Sequence, residues 1–506
     1  MSTASYGDRD PIAAQATPLA ESALALIRTA GGKAGEDGQA VKSAIELVAR
    51  VFSRPQKLLS APGNSVVHGW ITGPYPSRNK IDEVLVSVYR GPASYTGEDG
   101  ADISCHGGIA AAKAVMDALK NAGFREALPG EFTFRAFMNG KLDLTRAESV
   151  MELVAAKTHK GREQALRRLA GVLQKEISSI KEELVTVLAG TEIYLDYSED
   201  EFFGSPADSD EGDEEVGRLP ERALAEDAAK RLKILADLWR RERIYAEGAL
   251  AVIAGRPNAG KSSLFNYLLR EDRSIVTDVP GTTRDWIEAL ISVEGIPLSL
   301  ADTAGLRNPD DGDEAERIGI ERSLELLDRA DLVIYLIDGV RGITREDREF
   351  LDRRGEAAAK IPPAVKAPPA AKIPPLIVLW NKADIAPEPL PDDGEFRGKI
   401  LPVSAKTGEG IPELLRSAAD LLAGASPGSS PGMESAAGPG TVRQKDLIES
   451  ALASVEEALA LADRGEVLDI IAPLFRSAVN ALGEITGEVS GADILEAMFS
   501  RFCVGK

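Results

Sequence analysis

Only 2 cysteines and 3 histidines occur in the 506 residues of the chain. Two cysteines cannot build a disulfide framework, and their scarcity fits a reducing compartment. His68, His106 and His159 each lack a second ligand at zinc spacing, so no metal centre is expected from them. His106, in CHGG, reads as a structural turn residue, and Cys105 beside it as a packed core thiol. No run of 18 or more apolar residues is present, which excludes a membrane-spanning helix. The opening MSTASYGDRDPIAAQATP has no basic stretch followed by an apolar run, so no secretory leader is expected. Positive charge is scarce too: 59 Lys and Arg stand against 80 Asp and Glu, a formal −21. That argues against coating nucleic acid by non-specific electrostatics, which needs cations that displace counterions. A local basic patch stays open. Together these absences predict a cytoplasmic protein with no membrane partner.

What is present is ordinary for a globular chain, with 44% hydrophobic and 27% charged residues. The length predicts roughly two to four domains. Residues 1–148 alternate strand-like runs (VVHGWITG, DEVLVSVYRG) with one helical run and read as an α+β module. Long helical periodicity follows over 149–246, interrupted by the acidic run 199–216, a solvated loop by composition. Strand–loop–helix alternation over 247–424 predicts a parallel α/β domain. It carries a Pro/Ala-rich insert, 357–375, expected to be an extended surface loop. After the breaker at 424–440, residues 441–506 return to helical periodicity. The simplest architecture is an α/β domain inserted into an all-helical domain formed from two chain segments.

The α/β segment carries the chemistry. GALAVIA runs into GRPNAGKS (255–262) and then helical SLFNYLL, a phosphate-binding loop in its proper strand–loop–helix context. Gly255 and Gly260 permit backbone conformations that aim N–H groups at phosphate oxygens. Around them lie Asn258, Ala259 and Ser263, while Lys261 would reach the β- and γ-phosphates and Ser262 would offer a hydroxyl to Mg²⁺. DTAG follows a strand: Asp302 can hold the Mg²⁺ shell, and Thr303, Ala304 and Gly305 lead to the γ-phosphate. NKAD (Asn381, Lys382, Ala383, Asp384) ends a third strand, and the Asp384 carboxylate can accept two hydrogen bonds from guanine that adenine cannot offer. SAK (Ser404, Ala405, Lys406) would support the guanine oxygen. This order specifies GTP. The first switch is expected in Thr277, Asp278, Val279, Pro280, Gly281, Thr282 and Thr283, where Thr282 and Thr283 are candidates for sensing the γ-phosphate and Mg²⁺. Leu306 follows DTAG where Ras-type enzymes carry the water-orienting glutamine, and an apolar side chain cannot do that work. The missing transition-state charge must come from another cation, with Arg284 and Arg307 as candidates in cis.

With these motifs assembled, the chain resembles the MnmE, or TrmE, family of tRNA-modification GTPases over nearly its whole length. IAAQATP, SYTGED, CHGG, PGEFT and RAFMNGKLDLTRAES carry the likeness near the start, and LGEITGEVSGADILEAMFSRFCVGK at the end. The resemblance implies an N-terminal folate-binding domain, a helical domain from two segments and an inserted Ras-like GTPase domain. It implies a homodimer whose GTPase domains dimerise across the nucleotides. It also implies a heterotetramer with the flavoprotein MnmG, which holds FAD, acting on carbon 5 of the tRNA wobble uridine. A tetrahydrofolate derivative, 5-formyl or methylene, would supply the one-carbon unit. K⁺ would replace an arginine finger, with Asn258, Thr277, Val279 and Thr282 as ligands, and Mg²⁺ would be held by Ser262 and Thr283. Glu316 would position the attacking water. Arg28, Asp102, Lys141 and Lys506 match folate-site positions. The family's Gly-rich segment after IAAQATP is replaced here by AESALA, residues 20–25.

Rival readings are an Era-type RNA-binding GTPase, and a signalling GTPase anchored through its tail. The C-terminal helical run is acidic and apolar, unlike an RNA-binding module. In the tail, FCVGK, Gly505 and the terminal Lys506 are poor for a prenylation box. Cys503 is left as either a nucleophile or the wall of the folate pocket.

Overall fold

A computed structural model describes residues 6, 10–32, 43–73, 78–196, 219–270, 289–302, 326–327, 329–359, 374–386, 400–423, 437–489 and 491–505. The acidic run 199–216 and most of the Pro/Ala insert lie outside the described residues. Its contacts divide the chain into two units: Met1–Met151 with Val479–Lys506, and Glu152–Ala478. In this division the segment from Val479 onward groups with the first unit.

The first unit is built on a six-stranded sheet of order β3-β4-β5-β2-β1-β6. Its strands are β1 (Ile12–Gln15), β2 (Leu24–Ala30), β3 (Ser65–Thr72), β4 (Lys80–Tyr89), β5 (Gly100–His106) and β6 (Arg125–Glu126). Period-two alternation is plain in β4, where Asp82, Val84, Val86 and Val88 are buried between more exposed neighbours. The buried face packs with helices α1 (Ala44–Arg50), α2 (Pro55–Leu59) and α3 (Ile109–Ala122) in one core. Helix α3 ends on Gly123 in the left-handed region, where a glycine carries no Cβ penalty. Helix α4 (Glu131–Met138) begins at PGEFT, and α5 (Leu144–Ala155) follows. Glu131 is fully buried and accepts from Arg125 at 2.7 Å and Arg135 at 2.8 Å, while Arg135 also reaches Glu98 at 3.1 Å. Buried charges persist only when paired in this way.

The second unit opens with α6 (His159–Leu169), α7 (Val172–Asp196) and α8 (Arg222–Glu247). Leu173, Ile177, Ile180, Leu184 and Val187 recur at helical spacing and bury one stripe of α7. Helix α8 packs on α7 and also on α12 (Val442–Asp463), which buries Ile448, Ala451, Val455 and Ala458. Helical segments before and after the α/β segment therefore pack together, and α13 (Leu468–Thr486) follows.

Between them lies a second six-stranded sheet, order β12-β11-β10-β7-β9-β8. Its members are β7 (Ala249–Gly255), β8 (Ala289–Val293), β9 (Ile296–Asp302), β10 (Leu332–Asp338), β11 (Leu376–Asn381) and β12 (Ile400–Pro402). All neighbours pair parallel except β8 with β9. The inner strands are near-continuous apolar runs because both faces are covered. Ala251 and Ile253 of β7 join one core, with α9 (Lys261–Arg270) and α11 (Ile411–Ala423). Val252 and Ala254 join another on the opposite face, with α10 (Arg345–Ala359).

One ionic cluster joins α5, α6, α8 and the segment just before α12. Arg168 of α6, only 1% exposed, pairs with Glu152 of α5 at 2.7 Å and with Glu242 of α8. The same guanidinium donates to the Gly438 carbonyl, and Gly438 N–H donates to Glu242 at 2.7 Å. Burial pushes the Glu242 carboxyl above the usual carboxylate range, against the pull of Arg168. Arg168→Met leaves the buried Glu242 carboxylate without its cation and should cost about 3–5 kcal/mol in chemical denaturation at neutral pH. A raised folded-state carboxyl pKa adds stability at low pH that is lost as pH rises through it, so the deficit should shrink on acidification. A loss below about 1 kcal/mol, unchanged by pH, would contradict this account.

Candidate functional site

The carboxyl ends of β7, β9, β10, β11 and β12 carry every described candidate for nucleotide contact. Strand β7 closes on Gly255, at φ +139°, where a Cβ would lie 2.5 Å from the Leu336 carbonyl oxygen. Asn258 takes φ +64° at the exposed crest of the loop, and Gly260 takes φ +100° before α9 begins at Lys261. Lys261 is 7% exposed, and its ammonium donates to the Gly255 and Arg256 carbonyl oxygens at 2.9 Å each. The loop's own carbonyls thus hold the cation in its arch. Ser263 is exposed beyond it.

Next to the lysine, Ser262 Oγ donates to Asp302 Oδ2 at 3.1 Å, and Asp302 is 7% exposed. The register of β7 on β9, with Ile253 opposite Asp302, brings this pair together. A hydroxyl and a carboxylate at a helix N-terminus are hard oxygen donors suited to Mg²⁺, which keeps waters and takes phosphate oxygens as its other ligands.

Asn381 joins the remaining loops. It is 1% exposed; its Nδ2 donates to the Ala259 carbonyl at 2.7 Å and its Oδ1 accepts from Ala405 N–H at 3.0 Å. One side chain therefore ties GRPNAGKS to NKAD and SAK. Gly260 must be glycine here, since a Cβ would stand 2.1 Å from Asn381 Nδ2. Ala383 N–H donates to the Val403 carbonyl at 3.0 Å, and the buried Ser404 hydroxyl accepts from Thr407 N–H at 3.2 Å. Asp384 and Lys406 are exposed at the mouth of the site.

Sequence reasoning passed over Asp338, which closes β10 beside Asn381 and accepts the Lys382 ammonium at 2.7 Å. Its signal was an aspartate ending an apolar strand, LVIYLID, just as Asp302 ends PLSLAD. Thr277, Asp278, Val279, Pro280, Gly281, Thr282, Thr283, Thr303, Ala304, Gly305, Leu306 and Glu316 lie outside the described residues, as do Arg284, Arg307 and Lys506.

In the first unit, Arg28 on β2 and Asp102 on β5 are cross-strand partners, bonded through two N–H groups at 3.1 and 3.3 Å. A third N–H of Arg28 reaches the Gly505 carbonyl oxygen at 3.3 Å, so the chain's tail is brought to this pair. Gly505 takes φ +91° against Ala16, where a Cβ would lie 2.9 Å from the Ala16 Cα. Lys141 donates to the Pro92 carbonyl at 3.0 Å. The replaced segment 20–25 leads into β2; Ser22 N–H donates to the Gly107 carbonyl at 3.1 Å and Gly107 N–H to the Ala23 carbonyl at 3.3 Å. Cys503 is exposed, and its carbonyl accepts from Gly130 N–H at 3.3 Å. Cys105 is buried, its thiol pushed up to about 11 by burial first and then by the nearby Asp82 charge, as suits a core thiol. His106 donates its backbone N–H to Asp82 at 2.8 Å and pairs with the same carboxylate through Nδ1 at 2.6 Å, a turn-stabilising role. Among the described residues no group of three or more His, Cys, Asp or Glu is placed to hold a metal ion.

A family model of the MnmE helical domain matches residues 144–503, and one of the GTP-binding protein TrmE N-terminus matches residues 11–141. The tRNA modification GTPase MnmE of Treponema denticola is 42% identical, over 100% of both chains. That of Carboxydothermus hydrogenoformans is 37% identical, over 98% of this chain and 99% of its own. That of Borreliella burgdorferi is 38% identical, over 98% of each. Among solved structures, the G domain of the T. maritima FeoB iron transporter is 24% identical over 34% of this chain and 98% of its own, with a TM-score of 0.24.

Asn381→Ala removes a donor and an acceptor at once and strands the Ala259 carbonyl and the Ala405 N–H. The variant should bind nucleotide at least about tenfold more weakly and lose about 2–4 kcal/mol of stability. Calorimetric titration with GDP and a denaturant series check both numbers, and wild-type values for either would refute the bridging role.

Proposed function

Since the chain belongs to the MnmE family of tRNA modification GTPases, we propose that it hydrolyses GTP and couples that hydrolysis to modification of the tRNA wobble uridine. The observation that carries the reading is the Asn381 bridge, which assembles the phosphate loop, NKAD and SAK into one guanine-nucleotide site. In this site Lys261 binds phosphate oxygens and Asp384 accepts the two N–H groups of guanine. Ser262 and Thr283 hold Mg²⁺, with Asp302 ordering its shell. Mg²⁺ when bound offsets the charge that builds on the phosphates during transfer.

The attacking water is held by Glu316, since Leu306 has no polar group to offer. Asn258, Thr277, Val279 and Thr282 supply oxygens for K⁺, which takes the place of an arginine finger. The exposure of Asn258 at the loop crest supports that role. Two copies pair through their GTPase domains, inserted between the two helical segments, and hydrolysis drives a conformational change.

The first unit binds a tetrahydrofolate derivative, 5-formyl or methylene. Arg28, Asp102, Lys141 and Lys506 offer cations and a carboxylate complementary to a pteridine edge and a glutamate tail. The contact of Gly505 with Arg28 supports a tail that takes part in this site. The one-carbon unit goes to carbon 5 of the uridine in a carboxymethylaminomethyl-type modification. The FAD-bearing flavoprotein MnmG supplies the redox chemistry in a heterotetramer, in the cytoplasm.

Nucleoside analysis of tRNA from cells lacking the protein should show wobble uridines without the carbon 5 substituent, restored by the wild-type chain; unchanged tRNA would refute the reading. GTP turnover by the purified protein should rise at least about tenfold when K⁺ replaces Na⁺. Equal rates in the two salts would remove the K⁺ role alone.

A further inference from the structure

Strands β10 and β11 run parallel and in register, so Asp338 and Asn381 close them side by side. The two turns that follow touch. Gly339 N–H donates to the Asn381 carbonyl at 2.9 Å, and a Cβ on Gly339 would lie 2.6 Å from Trp380 Nε1. The Asp338 carboxylate divides its oxygens between these turns. Oδ1 accepts from Val340 N–H at 3.0 Å, which fixes its own turn, and Oδ2 accepts the Lys382 ammonium at 2.7 Å. The aspartate side chain is 12% exposed and that of the lysine 32%.

Lys382 stands two residues before Asp384, the carboxylate that reads the base. An ammonium with three donors so close to an exposed carboxylate is a natural partner for it, and such a pair would occupy the acceptor sites that guanine needs. Asp384 makes no hydrogen bond or ion pair among the described residues, whereas Asp338 holds the lysine. The more buried carboxylate has the stronger claim on the cation, because screening by water is weaker there. Lys382 itself takes φ +67°, a conformation costly for a residue with a Cβ, and the ion pair ties its side chain to the end of β10.

We propose that Asp338 is a positioning residue for guanine specificity: by holding the Lys382 ammonium it keeps both oxygens of Asp384 free for the base. This rests on the GTP reading above and deepens it.

The test is calorimetric titration of the full-length protein with GDP, for the wild type, D338N, K382M and the double variant. An asparagine keeps an oxygen acceptor for Val340 N–H, so D338N preserves the turn and removes only the charge that holds Lys382. The dissociation constant should rise about tenfold in D338N, the loss of one charge-assisted bond. In the K382M background the same change should add nothing, so the double variant binds as K382M does. Full additivity would show that Asp338 supports its turn without acting through the lysine, and overturns the proposal. Wild-type affinity in D338N overturns it as well. A wild-type chain that binds no GDP overturns the GTP reading and this inference together, which separates the two failures.

Discussion

The carboxamide of Asn381 is the contact on which the nucleotide site depends. Parallel pairing places the ends of β7, β10, β11 and β12 at one edge of the sheet, where open α/β folds gather their ligands. Pairing alone leaves the loops beyond those ends free to differ in height and tilt. Asn381 removes that freedom, because a donor and an acceptor on one short, buried side chain must each find a backbone partner. An aspartate could not donate to the Ala259 carbonyl, and a longer amide would displace it. The requirement for glycine at 260 follows from this contact.

A similar economy holds the buried charges elsewhere. In the first unit, Glu131 collects Arg125 and Arg135 beneath the PGEFT turn, and Arg135 continues to Glu98. In the second, Arg168 collects Glu152 and Glu242 and anchors the backbone at Gly438. Each cluster joins segments distant in sequence, and each is tolerable only because every charge has an opposite within reach. Such clusters specify one arrangement of their helices, since a displaced helix would strand a buried ion.

The last described helical turn and the residues just after it pack against the first unit. Phe499 and Phe502 are buried with Tyr6, Leu144 and Ala147, and Phe499 meets the Phe134 ring edge-on at 5.3 Å. Gly130 makes room for them, since a Cβ there would lie 2.6 Å from the Phe499 carbonyl oxygen. The backbone of Cys503 is bonded to Gly130 while the residue remains exposed. Beyond it, Gly505 comes to Arg28. Among the described residues no helix is long and apolar enough to cross a membrane.

The phosphate loop, DTAG, NKAD and SAK were legible in order and spacing because their chemistry is local. A glycine, a lysine or a carboxylate at a strand end has the same use wherever the strand lies. The parallel α/β class was equally legible from apolar runs between helical periodicities. The Asp338–Lys382 pair, the Arg168–Glu242 pair and the contact of Gly505 with Arg28 were not, since each joins residues from 44 to 477 positions apart. No periodicity encodes such a meeting. Strand register decides the first, helix packing the second, and the return of the chain's end to its first sheet the third. The sequence by itself determined which groups are the candidates for a guanine nucleotide. The tertiary structure alone decided how they are held, because hydrogen bonds and buried charges choose partners by distance in space.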